Sequence, residues 1–267
     1  MKEEIQKFFK GEVEDSEEIL TKYSRDASIF EIRPKLVLYP KDKEDIKNLV
    51  KWVRDNCHRQ GLGQLSITAR CAGTDMSCGA IVESLILDFT KYMNKLVNFS
   101  SSDKGRSEGV VFDSITVEPG MFYRDFEKIT LEQGMILPCY TASKDLNALG
   151  GMYGNNSGGE RTLKYGQAQD FVMESKVIFS DGNEYIVKPL NEEELKNKIA
   201  QNDPEGKQAS YGADFEGEIY RKIYQLIKDN KEDIKNAKPK VHKNSAGYYL
   251  WNVWNQKKKI FDLNKIL

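Results

Sequence analysis

Glycine is concentrated in one stretch near the middle of the chain. Six glycines lie between Gly150 and Gly166, although the whole chain of 267 residues contains only 20. A flexible linker would account for glycine and serine, but not for the bulky residues Met152, Tyr153 and Tyr165 among them. Because glycine lets a backbone approach its neighbours closely, the pattern favours a loop that lies over a flat ligand, with a linker as the alternative.

Small residues also dominate a shorter segment, from Arg70 to Ala80, directly after an apolar strand pattern. Gly73 can adopt a positive φ angle, and successive backbone N–H groups in such a turn form a nest for an anion. Thr74 and Ser77 would add hydroxyl donors. The segment therefore has the donors that a pyrophosphate requires, although a tight turn without a ligand explains the spacing at least as well.

Hydrophobic patterning predicts alternating strands and helices around these two segments, and hence a mixed α+β fold. Asp42 predicts a helix N-cap, with Asp45 as its capping-box partner, and Asn191 with Glu194 predicts another helix start. The predicted strands are 33–40, 65–69, 85–89, 115–118 and 135–137, followed by a hairpin over 177–187 that turns at Asp181-Gly182; the predicted helices run from Asp42 to about Gln60, from Tyr123 to Gln133 and from Glu216 to Asn236.

Composition excludes several classes of protein. The 40 Lys and Arg residues balance the 41 Asp and Glu residues, so the chain has no basic footprint for nucleic acid. No apolar run reaches the roughly 20 residues of a spanning helix, and the N-terminus lacks a secretory signal pattern. The four cysteines form no Cys-x-x-Cys pair and only two histidines are present, so we expect no metal site. Gly61-Leu62-Gly63 precedes its strand and does not complete a Rossmann fingerprint.

Taken together, the motifs resemble the FAD-binding domain of the vanillyl-alcohol oxidase superfamily, in the branch of glycolate oxidase and D-lactate dehydrogenase. The matching motifs are Arg70-Cys71-Ala72-Gly73-Thr74, Val117-Glu118-Pro119-Gly120, the series Gly150, Gly151, Asn155, Gly158, Gly159, Lys164-Tyr165-Gly166 and Asp170, the hairpin turn at Asp181-Gly182, and Lys243-Asn244-Ser245-Ala246-Gly247-Tyr248.

The resemblance implies a PCMH-type FAD-binding fold, in which two α/β subdomains hold FAD between them. We expect a helical leader over 1–30, a first subdomain over 31–100 and a second over 101–267. In relatives, a further glycine-rich segment and a cap domain follow this point. The second subdomain is therefore expected to be incomplete at its C-terminus, either because the chain is a fragment or because another chain completes it.

The same resemblance implies which residues bind FAD. The phosphate side would be formed by one loop, Cys71, Ala72, Gly73, Thr74, Asp75, Met76 and Ser77. The ribityl and isoalloxazine side would be lined by Pro138, Ser143, Gly150, Gly151, Asn155, Ser157, Gly158 and Tyr165. No catalytic residue is assigned, because the acid or base of relatives lies in the part that follows.

Covalently flavinylated relatives place a histidine in the phosphate loop, and this loop has none. We therefore expect non-covalent FAD, with a link through Cys71, Cys78 or Cys139 as the alternative.

The resemblance also implies an activity. It is oxidation of a D-2-hydroxy acid of the lactate or glycolate type by hydride transfer to FAD, with a quinone, an electron-transfer flavoprotein or an iron–sulfur partner as electron acceptor. The expected location is cytoplasmic, or peripheral to the inner face of the membrane. A UDP-sugar reductase of the same fold, and a non-catalytic flavin-binding subunit completed by a partner chain, are the alternatives.

Overall fold

The computed structural model describes residues 1–59, 61, 63–100, 114–200, 215–241, 244 and 247–267. These residues form two compact units, Met1–Ala168 and Gln169–Leu267, called here the first and second units. Most of the loop predicted between Ser100 and Phe112 lies outside the described residues, as do positions 62, 243, 245 and 246 of the predicted motifs. These two units are defined by how their residues pack and not by flavin binding. The predicted flavin-binding subdomains 31–100 and 101–267 therefore stay a prediction.

A four-stranded sheet organises the N-terminal part of the first unit. Its strands lie in the order β1-β2-β4-β3, with β4 parallel to both neighbours and β1 antiparallel at the edge. The elements are α1 Lys2–Gln6, β1 Glu12–Glu14, α2 Glu17–Tyr23, β2 Leu36–Tyr39, α3 Lys43–Asn56, β3 Ile67–Arg70 and β4 Leu85–Asp88. The predicted order of strand, helix, strand, loop, strand is confirmed over residues 36–88.

The two central strands are buried on both faces, which explains their nearly continuous apolar sequences. Leu36, Leu38, Leu85 and Leu87 pack on one face with residues of α1 and α3. The alternating residues of the same strands pack on the other face against Leu20 and Tyr23 of α2 and its neighbours. The first thirty residues therefore cover the sheet. They are not helical throughout, because β1 pairs with β2.

Two aspartates fix the start of α3 in different ways. Asp42 caps the helix as predicted and accepts hydrogen bonds from the backbone N–H of Glu44 (2.9 Å) and Asp45 (3.1 Å). The capping-box role predicted for Asp45 is wrong, because its carboxylate accepts from Lys10 N (2.7 Å), Gly11 N (3.1 Å) and Lys41 N (2.9 Å). Asp45 is fully buried, and its hydrogen bonds link the turn after α1 to the backbone that follows β2.

The rest of the first unit contains an antiparallel strand pair and three helices. These elements are β5 Leu96–Ser100, β6 Ser114–Val117, α4 Tyr123–Glu132, α5 Leu149–Gly154 and α6 Thr162–Tyr165. The strand predicted over 135–137 is wrong. Met135 N instead donates to Thr130 O (2.9 Å) at the end of α4, and Leu137 O accepts from the Tyr123 hydroxyl (3.0 Å). The apolar residues at 135–137 therefore contribute to the end of α4 and to packing against it.

The second unit contains the predicted hairpin and a helical layer. Its elements are β7 Ser175–Ile178, β8 Glu184–Val187, β9 Leu190–Asn191, α7 Glu192–Ala200, α8 Phe215–Asp229, α9 Lys231–Ala237, α10 Leu250–Val253, β10 Trp254–Asn255 and β11 Ile260–Phe261. The hairpin and the Asn191–Glu194 capping box are confirmed. The single helix predicted to Asn236 is two helices, α8 and α9, separated at Asn230. Within the described part of the chain, no helix is both long and apolar enough to cross a bilayer.

Candidate functional site

The loop from Arg70 to Ala80 follows the C-terminal end of β3, and its backbone turns around the side chain of Asp75. One carboxylate oxygen of Asp75 accepts from the N–H (3.2 Å) and the hydroxyl (2.8 Å) of Ser77, and the other accepts from Gly79 N (2.5 Å). Carboxylate and phosphate oxygens accept hydrogen bonds from the same kinds of donor. These donors bond an anionic side chain of their own loop, and phosphate binding by the loop stays a prediction. In this structure the side chain of Asp75 takes the donors predicted for a phosphate.

Gly73 has the positive φ angle (+67°) that the sequence predicts, and it has a second constraint. A Cβ atom at this position would collide with the guanidinium of Arg70, which folds back against the loop. That guanidinium donates to the backbone oxygens of Arg25 (2.8 Å), Ala80 (3.2 Å) and Tyr23 (3.5 Å). A cation therefore lies directly against the candidate phosphate loop.

The charge of Arg70 has no ion-pair partner among the described residues. Burial lowers the pKa of Arg70 from its ordinary value, and the nearby Tyr23, Asp88 and Asp26 act in the opposite direction. Arginine stays protonated in proteins in spite of such shifts. The positive charge is thus held by carbonyl dipoles, and its field remains available to an anion bound at the loop.

The two glycine-bearing segments meet at the turn formed by Pro119 and Gly120. The thiol of Cys71 donates to Pro119 O (3.4 Å), and Gly150 N donates to the same oxygen (2.8 Å). A Cβ atom at Gly150 would lie 2.6 Å from Pro119 Cβ, and one at Gly151 would lie 3.4 Å from Cys71 Cβ. We call Cys71, Pro119, Gly150 and Gly151 the glycine junction. The collision with Pro119 explains why position 150 is glycine.

The buried thiol of Cys71 is unreactive at the glycine junction. Burial raises the pKa of its thiol to about 12, with a further increase from the charge of Asp88 and a partial opposing effect from a hydrogen bond with the Gly151 backbone. Because the thiolate is the reactive form of cysteine, Cys71 is a poor nucleophile near neutral pH. Cys139 is also buried, in an apolar cluster with Met121, Phe126 and Met152.

The glycine-rich stretch does not lie as an open loop throughout. Its first part is the helix α5, Leu149–Gly154, so the predicted loop is wrong for residues 149–154. Helix formation is possible because the first N–H groups have partners: Leu149 N donates to Met121 O (2.9 Å), and Gly150 N to Pro119 O. Close packing against Pro119 is therefore the observed role of Gly150.

The remainder of the stretch is irregular and exposes several predicted site residues. Asn155 is exposed at the end of α5, and the side chain of Tyr165 is 46% exposed. Ser157 is half-buried and its backbone bonds Met152 and Ala168. Gly158 packs so closely on Thr162 that a Cβ atom would collide with the threonine hydroxyl. Here the chain is compact and polar groups face outward.

A third segment, 138–147, completes the candidate site with polar groups. Pro138 and Ser143 are half-buried, and the hydroxyls of Ser143 and Thr141 are 2.9 Å apart. Asn147 donates from Nδ2 to Thr141 Oγ1 (2.6 Å), while its buried Oδ1 has no hydrogen-bond partner among the described residues. A buried oxygen of this kind is rare in a complete structure and fits an acceptor that a ligand would satisfy.

Asn147 is a functional candidate that the sequence does not reveal. It stands between two apolar residues, Leu146 and Ala148, and belongs to none of the recognised motifs. Its only signal in the sequence is its position just before the first glycine pair. The structure thus brings together Cys71, Gly150 and Gly151 of the predicted set. It exposes Met76, whose side chain is 79% accessible.

The residues present fit an FAD cofactor. The loop at Arg70–Ala80 supplies N–H and hydroxyl donors beside a cation, which suits a diphosphate. Asn147 Oδ1, Thr141 and Ser143 supply polar groups next to the close-packed glycines, which suits the amide edge of a flavin and its ribityl hydroxyls. Among the described residues, no cluster of His, Cys, Asp or Glu could hold a metal ion.

Comparison with known proteins defines the class. A family model described as "FAD binding domain" matches residues 34–200, which is more than half of the chain. The chain therefore belongs to this FAD-binding family. Solved structures share the fold: alkyldihydroxyacetonephosphate synthase aligns with a TM-score of 0.55 at 17% identity, over 70% of this chain and 33% of that one. For 6-hydroxy-D-nicotine oxidase from Arthrobacter nicotinovorans the TM-score is 0.52 at 19% identity, over 67% and 36%. The α+β, PCMH-type fold is confirmed.

Curated relatives narrow the resemblance further. D-2-hydroxyglutarate dehydrogenase of Escherichia coli (strain K12) is 24% identical over 244 residues, which cover 91% of this chain and 22% of that protein. Glycolate oxidase subunit GlcD of Bacillus subtilis (strain 168) is 27% identical over 165 residues, which cover 60% of this chain and 31% of that protein. The chain thus spans about a fifth to a third of the length of these relatives.

Proposed function

We propose that the first unit of this chain holds FAD non-covalently, as the flavin-binding part of an oxidoreductase that acts on a D-2-hydroxy acid. The observation that carries the proposal is the glycine junction, where the candidate phosphate loop and the candidate flavin segment share the carbonyl of Pro119. A bound FAD supplies hydride acceptance, and the chain supplies position and electrostatics.

On the phosphate side, the residues of the loop from Cys71 to Ser77 would bind the diphosphate through backbone N–H groups and the hydroxyls of Thr74 and Ser77. Arg70 contributes a positive field from beneath the loop. Asp75 already occupies the donors of Ser77 and Gly79, so its carboxylate must turn away where a phosphate takes those donors. Two anions sharing one donor set would repel each other.

On the flavin side, Asn147 Oδ1 is placed to accept a hydrogen bond. Pro138, Ser143, Gly150, Gly151, Asn155, Ser157, Gly158 and Tyr165 are proposed to line the ring and the ribityl chain. The exposed ring of Tyr165 and the exposed end of α5 offer surface for this contact. We assign no catalytic acid or base.

The state of the cysteines supports the proposed non-covalent attachment. A thiol must reach its thiolate form to add to a flavin, and burial raises the pKa of Cys71 to about 12. Cys139 is 1% exposed within an apolar cluster. Cys78 is half-buried in the phosphate loop at a positive φ angle (63°). The loop from Ala72 to Ser77 contains no histidine.

The proposed substrate class rests on the relatives. D-2-hydroxyglutarate dehydrogenase, glycolate oxidase and D-lactate dehydrogenase are names for oxidation of 2-hydroxy acids. A quinone, an electron-transfer flavoprotein or an iron–sulfur protein is the proposed electron acceptor, and the cytoplasm, or the inner face of the membrane, is the proposed location.

Acid precipitation of the FAD-loaded chain tests the cofactor part. We expect a flavin absorbance spectrum that appears entirely in the acid supernatant, because no bond joins flavin to protein. Flavin retained in the pellet would show a covalent link, and Cys71→Ser, Cys78→Ser and Cys139→Ser variants would identify the cysteine. A chain that binds no FAD in excess cofactor would refute the proposal for this chain.

Anaerobic reduction tests the substrate class. The FAD-loaded protein, as this chain and within any longer protein that contains it, is mixed with D-2-hydroxyglutarate, D-lactate or the achiral glycolate, and with L-2-hydroxyglutarate and L-lactate as controls. We expect bleaching of the oxidised flavin by a D-2-hydroxy acid and not by its L enantiomer. Bleaching by NADPH alone would indicate the reductase alternative.

A further inference from the structure

The segment from Tyr23 to Ala27 lies before the region that matches the FAD-binding family, which begins at residue 34. It nevertheless contacts the candidate phosphate loop at several points. Ala27 N donates to Gly73 O (3.1 Å), and the carbonyls of Tyr23 and Arg25 accept from Arg70. We call Tyr23–Ala27 the brace segment.

The brace segment is itself fixed to the sheet. The hydroxyl of Tyr23 donates to the buried Asp88 at the end of β4 (2.7 Å), and the Tyr23 ring packs edge-on against Tyr39. The Arg70 guanidinium lies over the same Tyr23 ring, with 5.0 Å between its carbon and the ring centroid. Tyr23 is 6% exposed, so this contact is held in a buried position.

These contacts determine where the charge of Arg70 lies. An arginine on a strand end can adopt many rotamers, most of which carry the guanidinium into water. Here three carbonyls and one aromatic face hold it against Gly73. Two of the three carbonyls belong to the brace segment. The remaining bond, from Ala27 N to Gly73 O, fixes the backbone of the loop at Gly73.

We propose that the brace segment positions Arg70 and the phosphate loop for the diphosphate of FAD, so that residues outside the family match set the affinity for the cofactor. This inference rests on the proposed function, since it concerns the same FAD site. Tyr23, Arg25 and Ala27 act as positioning residues through Arg70 and Gly73. Arg70 acts through its field and through the shape of the loop.

Two variants of the full chain test the proposal. Arg70→Lys keeps the charge but replaces a planar group with five donors by one ammonium, which cannot bond three separate carbonyls in the same geometry. Ala27→Pro removes the single N–H that bonds Gly73 O. Arg33→Lys is the matched control, because Arg33 bonds the carboxylate of Glu17 (2.6 and 2.9 Å) in the same N-terminal region, on the surface.

The dissociation constants of FAD and of ADP are measured by titration, and the melting temperature of the FAD-free chain by circular dichroism. We expect Arg70→Lys and Ala27→Pro to weaken FAD binding on the order of tenfold, the change that loss of one hydrogen bond produces. ADP, which carries the diphosphate without the flavin, should weaken by the same factor. Arg33→Lys should bind both ligands as the unchanged chain does. Arg70→Lys and Ala27→Pro should melt at lower temperatures than the unchanged chain, because each loses hydrogen bonds, so the titrations are made well below those temperatures, where every variant is folded.

The outcomes separate the two proposals. If the unchanged chain binds neither FAD nor ADP, the proposed function fails. If it binds both and the two variants bind within twofold of it, the brace has no role in affinity. A weaker FAD with an unchanged ADP overturns the inference as well, because the defect would lie at the flavin side. Asp45→Asn, which disturbs a buried acceptor outside the brace segment, is the control for stability. If Asp45→Asn weakens FAD as much as Arg70→Lys does, the loss reflects general destabilisation and counts against positioning.

Discussion

At the scale of single residues, Gly73 and Gly134 have nearly the same backbone conformation in different surroundings. Their φ angles are +67° and +68°. A Cβ atom at Gly134 would meet nothing within 4 Å, whereas at Gly73 it would collide with Arg70. The pair separates the cost of a left-handed backbone from the cost of displacing the guanidinium.

We predict that Gly134→Ala lowers the free energy of unfolding by about 1 kcal/mol, the usual strain of an alanine in this conformation. Gly73→Ala should cost at least about 1 kcal/mol more, because the guanidinium must leave carbonyl partners that bond a charged group. Urea unfolding measures both values. Equal losses in the two variants would show that Arg70 moves away from Gly73 without cost.

Single residues also show what the sequence could not predict about the site. The positive φ of Gly73 follows from its type and its small neighbours. The packing of Arg70 beneath it does not, because two of the three carbonyls that hold the guanidinium come from residues 45 or more positions earlier in the chain. The same holds for Asp75, whose type suggests a ligand contact but whose carboxylate bonds its own loop.

At the scale of elements, the start of α3 offers a matched pair of aspartates. Asp42 and Asp45 both accept backbone hydrogen bonds, but Asp45 is fully buried and takes three of them. Asparagine is as good an N-cap as aspartate, so it can replace Asp42. At the buried position 45, the NH₂ group of asparagine would face backbone N–H donors and could not accept their hydrogen bonds.

Asp42→Asn is therefore expected to change the free energy of unfolding by less than about 0.5 kcal/mol. Asp45→Asn is expected to lower it by about 2 to 3 kcal/mol, because at least one buried N–H loses its acceptor. Chemical denaturation compares the two variants under identical conditions. A cost for Asp42→Asn that equals the cost for Asp45→Asn would contradict this account.

Elements that depend on local signals were predictable. The strands at β2 and β4 follow from their apolar sequences, and the hairpin of β7 and β8 from Asp181-Gly182, where Gly182 has a φ of +77°. The elements that differ depend on tertiary contacts. The predicted strand at 135–137 finds no partner strand, and the predicted loop at the first glycine pair is a helix because Met121 and Pro119 accept its first N–H groups.

At the scale of the whole molecule, all the proposed FAD contacts lie in Met1–Ala168. FAD should therefore slow amide hydrogen exchange in three segments, which are 70–80, 117–120 and 138–166. Exchange in α8 should be unchanged. At a free FAD concentration of about 100 times the dissociation constant, the first unit gains about 2.7 kcal/mol against unfolding.

Mass spectrometry of exchanged peptides measures this pattern, with ADP as the comparison ligand. ADP should protect 70–80 and leave 138–166 unchanged, since it lacks the flavin. Equal protection by FAD of α8 and of the phosphate loop would show that the cofactor contacts or orders both units.

The order of segments along the chain was predictable from their motifs, whereas the extent of each compact unit was not.

The glycine junction also limits which substitutions this chain can accept together. A Cβ atom introduced at Gly151 would lie 3.4 Å from Cys71 Cβ and 3.8 Å from its sulfur. The two positions therefore share one small volume, and a larger residue at one requires a smaller residue at the other. Across homologous sequences, positions 71 and 151 should covary in size, so that residues larger than alanine at 151 are found with glycine at 71 and are avoided where cysteine stands there.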